Sequence, residues 1–150
     1  MIIEKYFIRS KHSIINIENT QVKSLKKKDI SKTAIRAYNG KSIGIGSAIG
    51  NCDEAKLTAE ARKALKKNIP YAFPPSSNRT ESFVHLPQII KEDDFVNEAQ
   101  DIVSELRKSR PDFIFSHEMC MIESEARISN NAGLDLSYKN RYFELGLLIK

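Results

Sequence analysis

"SIINIENTQVKSLKKKDISKTAIRAYNGKSIGIGSA", residues 13–48, is the stretch that decides the fold. It opens on "SIINIE", rich in β-branched side chains. Such residues lose freedom in a helix and pack well on a pleated surface, so a strand is predicted. Asn19-Thr20 reads as a short turn, and "QVKSLKKK" (21–28) as the partner strand. In "KTAIRAYNGKSIGIGSA" (32–48), Asn39-Gly40 is the hairpin signal, flanked by Tyr38 and Lys41. A type I′ turn needs positive φ at both central positions, which Asn and Gly tolerate. Upstream, "IIEKYFIR" (2–9) is β-branched and aromatic and predicts another strand. The first third is therefore expected to be an antiparallel meander.

The same stretch holds the densest basic run: Lys23, Lys26, Lys27, Lys28 and Lys32. Alternation along a strand splits these over two faces. No aromatics interleave, so a solvated strand edge is expected, where lysines also discourage edge-to-edge pairing.

Beyond the meander, "NCDEAKLTAEARKALKKN" places Leu57, Ala61, Ala64 and Leu65 on one helical face. Asn51 or Asp53 can cap it, and Asn51 with Glu54 has capping-box spacing. Lys63, Lys66 and Lys67 suit the negative end of the helix dipole, and Asn68 and Pro70 stop it. Residues 70–90 hold four of the five prolines and predict an extended surface connection, with Tyr71, Phe73, Phe83 and Val84 expected to seek burial. "EDDFVNEAQDIVSELRKSR" (92–110) repeats the helical pattern with Phe95, Ala99, Ile102, Val103 and Leu106, and Pro111 ends it. Strands return in "DFIFSHEMCMIESEARISN" and "LDLSYKNRYFELGLLIK", joined by a turn at "NNAG".

The segments 6–25 and 113–134 share a faint pattern of apolar strand, His-bearing polar join and further strands. The predicted fold class is α+β: mostly antiparallel strands in two loosely repeated strand–helix halves, with two main helices at about 53–67 and 92–108.

The 150 residues suffice for one domain with a core. Apolar residues make up 41% and charged residues 29%, as in ordinary globular proteins. No run approaches the roughly 20 apolar residues that span a bilayer. The start lacks the pattern of a signal peptide. Cys52 and Cys120 are far apart and expected to be reduced thiols, so a cytoplasmic location is expected. The net charge of +5 permits nucleic-acid binding without arguing for it.

Three patterns raise chemistry. "FIFSHEMCMIE" (113–123) contains His117-Glu118, the start of a zinc-peptidase signature. That signature needs a second His one helical turn on, so that both rings face one ion. Met121 and Ile122 stand there instead, and His12 and His85 are remote in sequence. Glu123 and Glu125 alternate as the wet face of a strand does. "GIGSAIG" (44–50) hints at a phosphate loop, but Ile49 breaks the glycine spacing and no Lys-Ser/Thr follows. Close backbone packing accounts better for Gly44, Gly46 and Gly50. Cys52 beside a helix start has no partnering base in sequence, and Cys120 reads as an apolar strand residue.

The order of parts resembles the N-terminal domain of the TldD/PmbA family, once labelled modulators of DNA gyrase and regarded as zinc metallopeptidases. The resemblance rests on the meander 13–48, the "DEAKLTAEARKALKK" helix after it, and "IESEARISNNAGLDLSYKNRYFELGLLIK". It spans nearly all 150 residues. The family's N-S-x-G turn is matched by Asn130-Asn131-Ala132-Gly133, with Asn131 where the family has Ser. The turn chemistry survives, since Asn and Gly both tolerate positive φ.

The resemblance implies a zinc signature, HExxxH with a distant Cys, in a C-terminal domain that this chain does not contain. It implies no catalytic or metal ligand within residues 1–150, and no cofactor here. It further implies a homo- or heterodimer of family subunits, with this domain helping to wall a cavity for extended or unfolded peptides. The alternative expectation is a small basic nucleic-acid-binding or gyrase-associated module. Which peptide is bound is not legible, and no substrate-binding residue is assigned. Replacing His117 and Glu118 by Ala is expected to leave the metal content of this chain unchanged. Elemental analysis of both purified forms checks this, and a loss of bound zinc in the double variant would refute the strand reading.

Overall fold

The computed structural model describes residues 1–87, 91–146 and 148–149, leaving aside the side chains of Glu92 and His117. The elements are β1 (Ile2–Glu18), β2 (Gln21–Asn39), β3 (Ser42–Ile49), α1 (Glu54–Leu65), β4 (Ile69–Pro70), β5 (Arg79–His85), α2 (Glu92–Ser109), β6 (Phe115–Asn130), β7 (Leu134–Leu145) and β8 (Leu148–Ile149). The strands neighbour one another in the order β4-β3-β2-β1-β6-β7-β5, and β8 pairs with β6. The α+β class is as expected. The expected boundary within the first strand is absent. The polar join at Lys11-His12-Ser13 continues β1, which runs for 17 residues, and β2 runs for 19.

The chain divides into two compact units. One comprises residues 1–10, 30–84 and 124–139, and the other residues 11–29, 85–123 and 140–150. Each holds one helix, as the two-halves reading anticipated. The halves are not successive along the chain, however. β1, β2, β6 and β7 each contribute a segment to both units, because strands this long can serve two helices.

In the first unit, α1 lies on the β2–β3 hairpin. Asp53 is its N-cap: the carboxylate accepts from the N–H of Ala55 (2.9 Å) and of Lys56 (3.2 Å). The Asn51–Glu54 capping box is thus replaced by a cap two residues later. Leu57 and Ala61 are buried against Ile35 and Ala37. The helix backbone comes so close to β3 that a Cβ at Gly44 would lie 2.1 Å from the carbonyl oxygen of Ala61. A Cβ at Gly46 would lie 2.5 Å from that of Leu57. Close packing, and not a phosphate loop, explains these two glycines.

The β2–β3 turn differs by one residue from expectation. Asn39 pairs with Ser42, so the two-residue loop is Gly40-Lys41. Positive φ falls on Gly40 (64°) and not on Asn39. Glycine at the first central position fits a type II′ turn. Both central residues of the β1–β2 turn have positive φ instead: Asn19 at 51° and Thr20 at 59°. A β-branched residue rarely adopts this conformation. Thr20 is held there by Phe115, whose carbonyl accepts its N–H at 2.8 Å and whose N–H donates to its hydroxyl at 3.1 Å.

In the second unit, α2 buries Phe95, Ala99 and Val103 against Ile15, Ile17 and Met119. This is the face that the periodicity marked. The connection at 70–90 departs from expectation. It starts at the end of β4, which pairs with β3, and contains β5, which lies beside β7. The turn Asn130–Gly133 seats β5: the N–H of Asn78 donates to the Ala132 carbonyl (3.1 Å) and that of Arg79 to the Gly133 carbonyl (3.2 Å). Gly133 has φ of +86°, as the turn chemistry required. Phe73, Phe83 and Val84, expected to be buried, are exposed, because every residue of β5 is exposed and Phe73 lies in the open segment before it. Phe83 stacks on Tyr138 instead.

One buried polar group was not anticipated. Glu4 on β1 is only 4% exposed. Its Oε1 accepts from the Tyr38 hydroxyl (2.9 Å) and from Arg36 Nη1 (3.2 Å). A carboxylate this enclosed needs such partners. Burial, and then the hydrogen bond to Glu4, pushes the Tyr38 phenol from 10.0 up to about 12.

Two predictions follow from this packing. Gly44→Ala is expected to cost about 3 kcal/mol, the upper range for overpacking against backbone. Gly50→Ala, where nothing lies within 4 Å and only the φ of +81° opposes a side chain, is expected to cost about 1–2 kcal/mol. Chemical denaturation of the two variants checks the order. The Tyr38 contribution to stability is in full below about pH 10 and is lost as pH rises through about 12, since the folded state holds the proton more tightly. Tyr38→Phe is expected to be less stable at pH 7 by about 1.5–3 kcal/mol, for a lost hydrogen bond to a charged group. Its stability is expected to fall less steeply than wild type between about pH 10 and 12, measured by urea denaturation across that range.

Candidate functional site

The His-Glu stretch falls on β6, where neighbouring side chains take opposite faces. Met119 and Ile122 are buried and Glu118 is exposed. The His117 side chain lies outside the described residues. Glu123 is engaged by Arg141 Nη2. Glu125 lines a shallow cleft with Lys5, Phe7, Arg127 and Ser129. His85 is exposed at the end of β5, and His12 lies on β1. Among the described residues no three His, Cys, Asp or Glu side chains gather as a metal would need.

Cys52 packs against the cluster of Ile35, Ala37, Leu57 and Ala61. Burial, and then the carboxylates of Glu118 and Glu144, pushes the Cys120 thiol up, so the reactive thiolate is disfavoured.

The sequence did not anticipate what gathers around His12. A cleft of about 370 Å³ opens in the second unit. β1 contributes Lys11, His12 and Ser13, β2 contributes Lys27, Lys28 and Asp29, β6 contributes Met121 and Glu123, and β7 contributes Arg141. Met121 also packs on the core under α2, so the cleft adjoins a rigid layer. The Arg141 side chain is 13% exposed. Nη2 holds Glu123, while Nη1 is buried without a hydrogen-bond partner among the described residues. Four cations face two carboxylates, leaving a positive cleft. The lining comes from four strands, so no local motif marks it. The only sequence signal was the lysine run itself.

That run lies on an open edge. β3 takes up β2 only from Lys32 to Asn39. Among the described residues no strand other than β1 and β3 is placed beside β2. Lys23, Lys26, Lys27 and Lys28 are all exposed there, as a solvated strand edge requires.

The first unit has a wider cleft of about 680 Å³, whose lining includes Tyr6, Ile8, Ala34 and Ile49. Ile49 is 74% exposed, and Ile45 nearby on β3 is 51% exposed. These side chains form an apolar surface that no described element covers.

Comparison with known proteins places this geometry. No family model matches the chain. No curated protein matches it either. Solved structures do. TldE from Thermococcus kodakarensis superposes with a TM-score of 0.75 at 16% identity, over 97% of this chain and 36% of that one. A candidate modulator of DNA gyrase from Thermotoga maritima gives 0.73 at 13% identity, over 95% of this chain and 34% of that one. Another from Bacteroides thetaiotaomicron gives 0.65 at 11% identity, over 95% and 35%. The chain thus spans about a third of the length of the solved chains it matches. At such identities the likeness is one of fold, and the fold is that of a TldD/PmbA-family domain.

Proposed function

We propose that residues 1–150 act as a single non-catalytic domain of a TldD/PmbA-like metallopeptidase, helping to form a subunit interface and the wall of a cavity for extended peptides. The observation that carries this reading is the near-complete coverage of the chain by about one third of each of three such solved chains. A domain of this kind leaves catalysis, and the zinc that would supply it, to other residues of a longer protein. Its partners are a second copy or a related subunit, together with an unfolded or extended peptide, in the cytoplasm.

The surface supports an interface role. Ile45, Ile49, Phe73, Phe83 and Val84 are each more than half exposed. Apolar exposure on this scale is what a partner or a further domain covers. Open strand edges support the peptide role, because main-chain pairing tolerates many sequences.

The test is a cleavage assay on the native full-length protein that carries this chain, with an unstructured polypeptide such as casein. Cleavage is expected, together with bound zinc and inhibition by a chelator, while residues 1–150 alone cleave nothing. Hydrolysis by residues 1–150 alone would overturn the reading, as would its absence from the full-length protein assayed with its related subunit.

A further inference from the structure

We infer that the lysine-lined edge of β2 and the adjoining positive cleft form a binding site for an acidic extended peptide. This rests on the peptide-handling reading above and names its ligand class. On the side away from β1, β3 lies beside β2 only from Lys32 to Asn39, and among the described residues no other strand is placed along that side. Such an edge is a template for one more strand. The occupant must pair by its main chain and must answer the charge beside it.

The charge is specific in sign. Lys26 and Lys28 line the edge, and Lys11, Lys28 and Arg141 line the cleft next to it. Lys28 belongs to both, which makes them one surface. Asp29 and Glu123 reduce the positive charge without reversing it, and Glu123 is already engaged by Arg141. Arg141 is held in place by that contact and keeps donors to spare. Leu25, 38% exposed between lysines, offers an apolar position. A strand alternating acidic and apolar residues matches this surface, since opposite charges on adjacent strands attract.

A nucleic-acid duplex matches it less well. A phosphate backbone cannot use the strand's N–H and C=O ladder as a strand does. No aromatic ring interleaves with the lysines to stack on bases. The two carboxylates of the cleft would repel a continuous run of phosphates.

The experiment is fluorescence anisotropy with the intact protein and three labelled eight-residue peptides. One alternates Glu and Val, one alternates Lys and Val, and the third is the Glu–Val peptide N-methylated at every amide. The Glu–Val peptide is expected to bind at least about tenfold more tightly than the Lys–Val peptide, the scale of a few exposed charge contacts. Its affinity is expected to weaken with salt. The N-methylated peptide is expected to lose most of the affinity, since it cannot pair along the edge. Lys26→Glu with Lys28→Glu is expected to reverse the charge preference, with unchanged circular dichroism.

Equal binding of the acidic and basic peptides, or full binding by the N-methylated peptide, would overturn the inference. So would binding of a random duplex in preference to the acidic peptide. Casein cleavage by the full-length protein without acidic-peptide binding would sink the inference and leave the peptidase reading standing. Acidic-peptide binding without cleavage would do the reverse.

Discussion

Long strands can stay folded only where something covers their apolar side chains, and here that cover comes from two helices. Ile15 and Ile17 on β1 are almost wholly buried beneath α2. Ile35 and Ala37 on β2 are buried beneath α1. Each fully buried Ile or Phe stabilises by roughly 1.5–3 kcal/mol, so removal of a helix would expose more than such a domain can spare. The Gly44–Ala61 approach fixes one of these contacts at backbone distance. A side chain there would push the helix outward and reopen the face that Leu57 and Ala61 close.

The sequence made the helices legible because their burial is periodic and local. Phe95, Ala99 and Val103 repeat at helical spacing, and their partners need not be known. The strands were legible in kind but not in extent. Lys11-His12-Ser13 reads as a polar break, yet a strand continues through polar residues when its neighbours supply the ladder. β5 escaped detection for a related reason. All seven of its residues are exposed, so no alternation of polar and apolar side chains marks it. What holds it is the turn at Asn130–Gly133, some fifty residues away in sequence.

Charge was less legible still. Glu4 sits among apolar and aromatic strand residues, and its burial makes sense only beside Arg36 and Tyr38 on the next strand. The positive cleft likewise draws its cations from β1, β2 and β7. Sequence reading weighed His117-Glu118 because the two are adjacent. Adjacency on a strand separates side chains to opposite faces, whereas residues from neighbouring strands come together. The chemistry-bearing cluster is therefore the one that sequence proximity does not reveal.

The lysines of β2 can be understood as protection alone, and that account is physically sound. An open edge invites pairing with any exposed strand, and lysines oppose the approach of a copy of themselves. Repulsion between like edges is selective, however. It discriminates against one sign of charge and leaves the hydrogen-bonding ladder intact for the other. A protein that needed only protection could twist the edge away with a bulge or interrupt it with proline, which blocks every partner equally. Residues 21–29 contain no proline and remain in regular strand. The edge thus excludes its own kind while staying competent to receive an acidic strand, with the Arg141 cleft placed beside it to reward the correct charge.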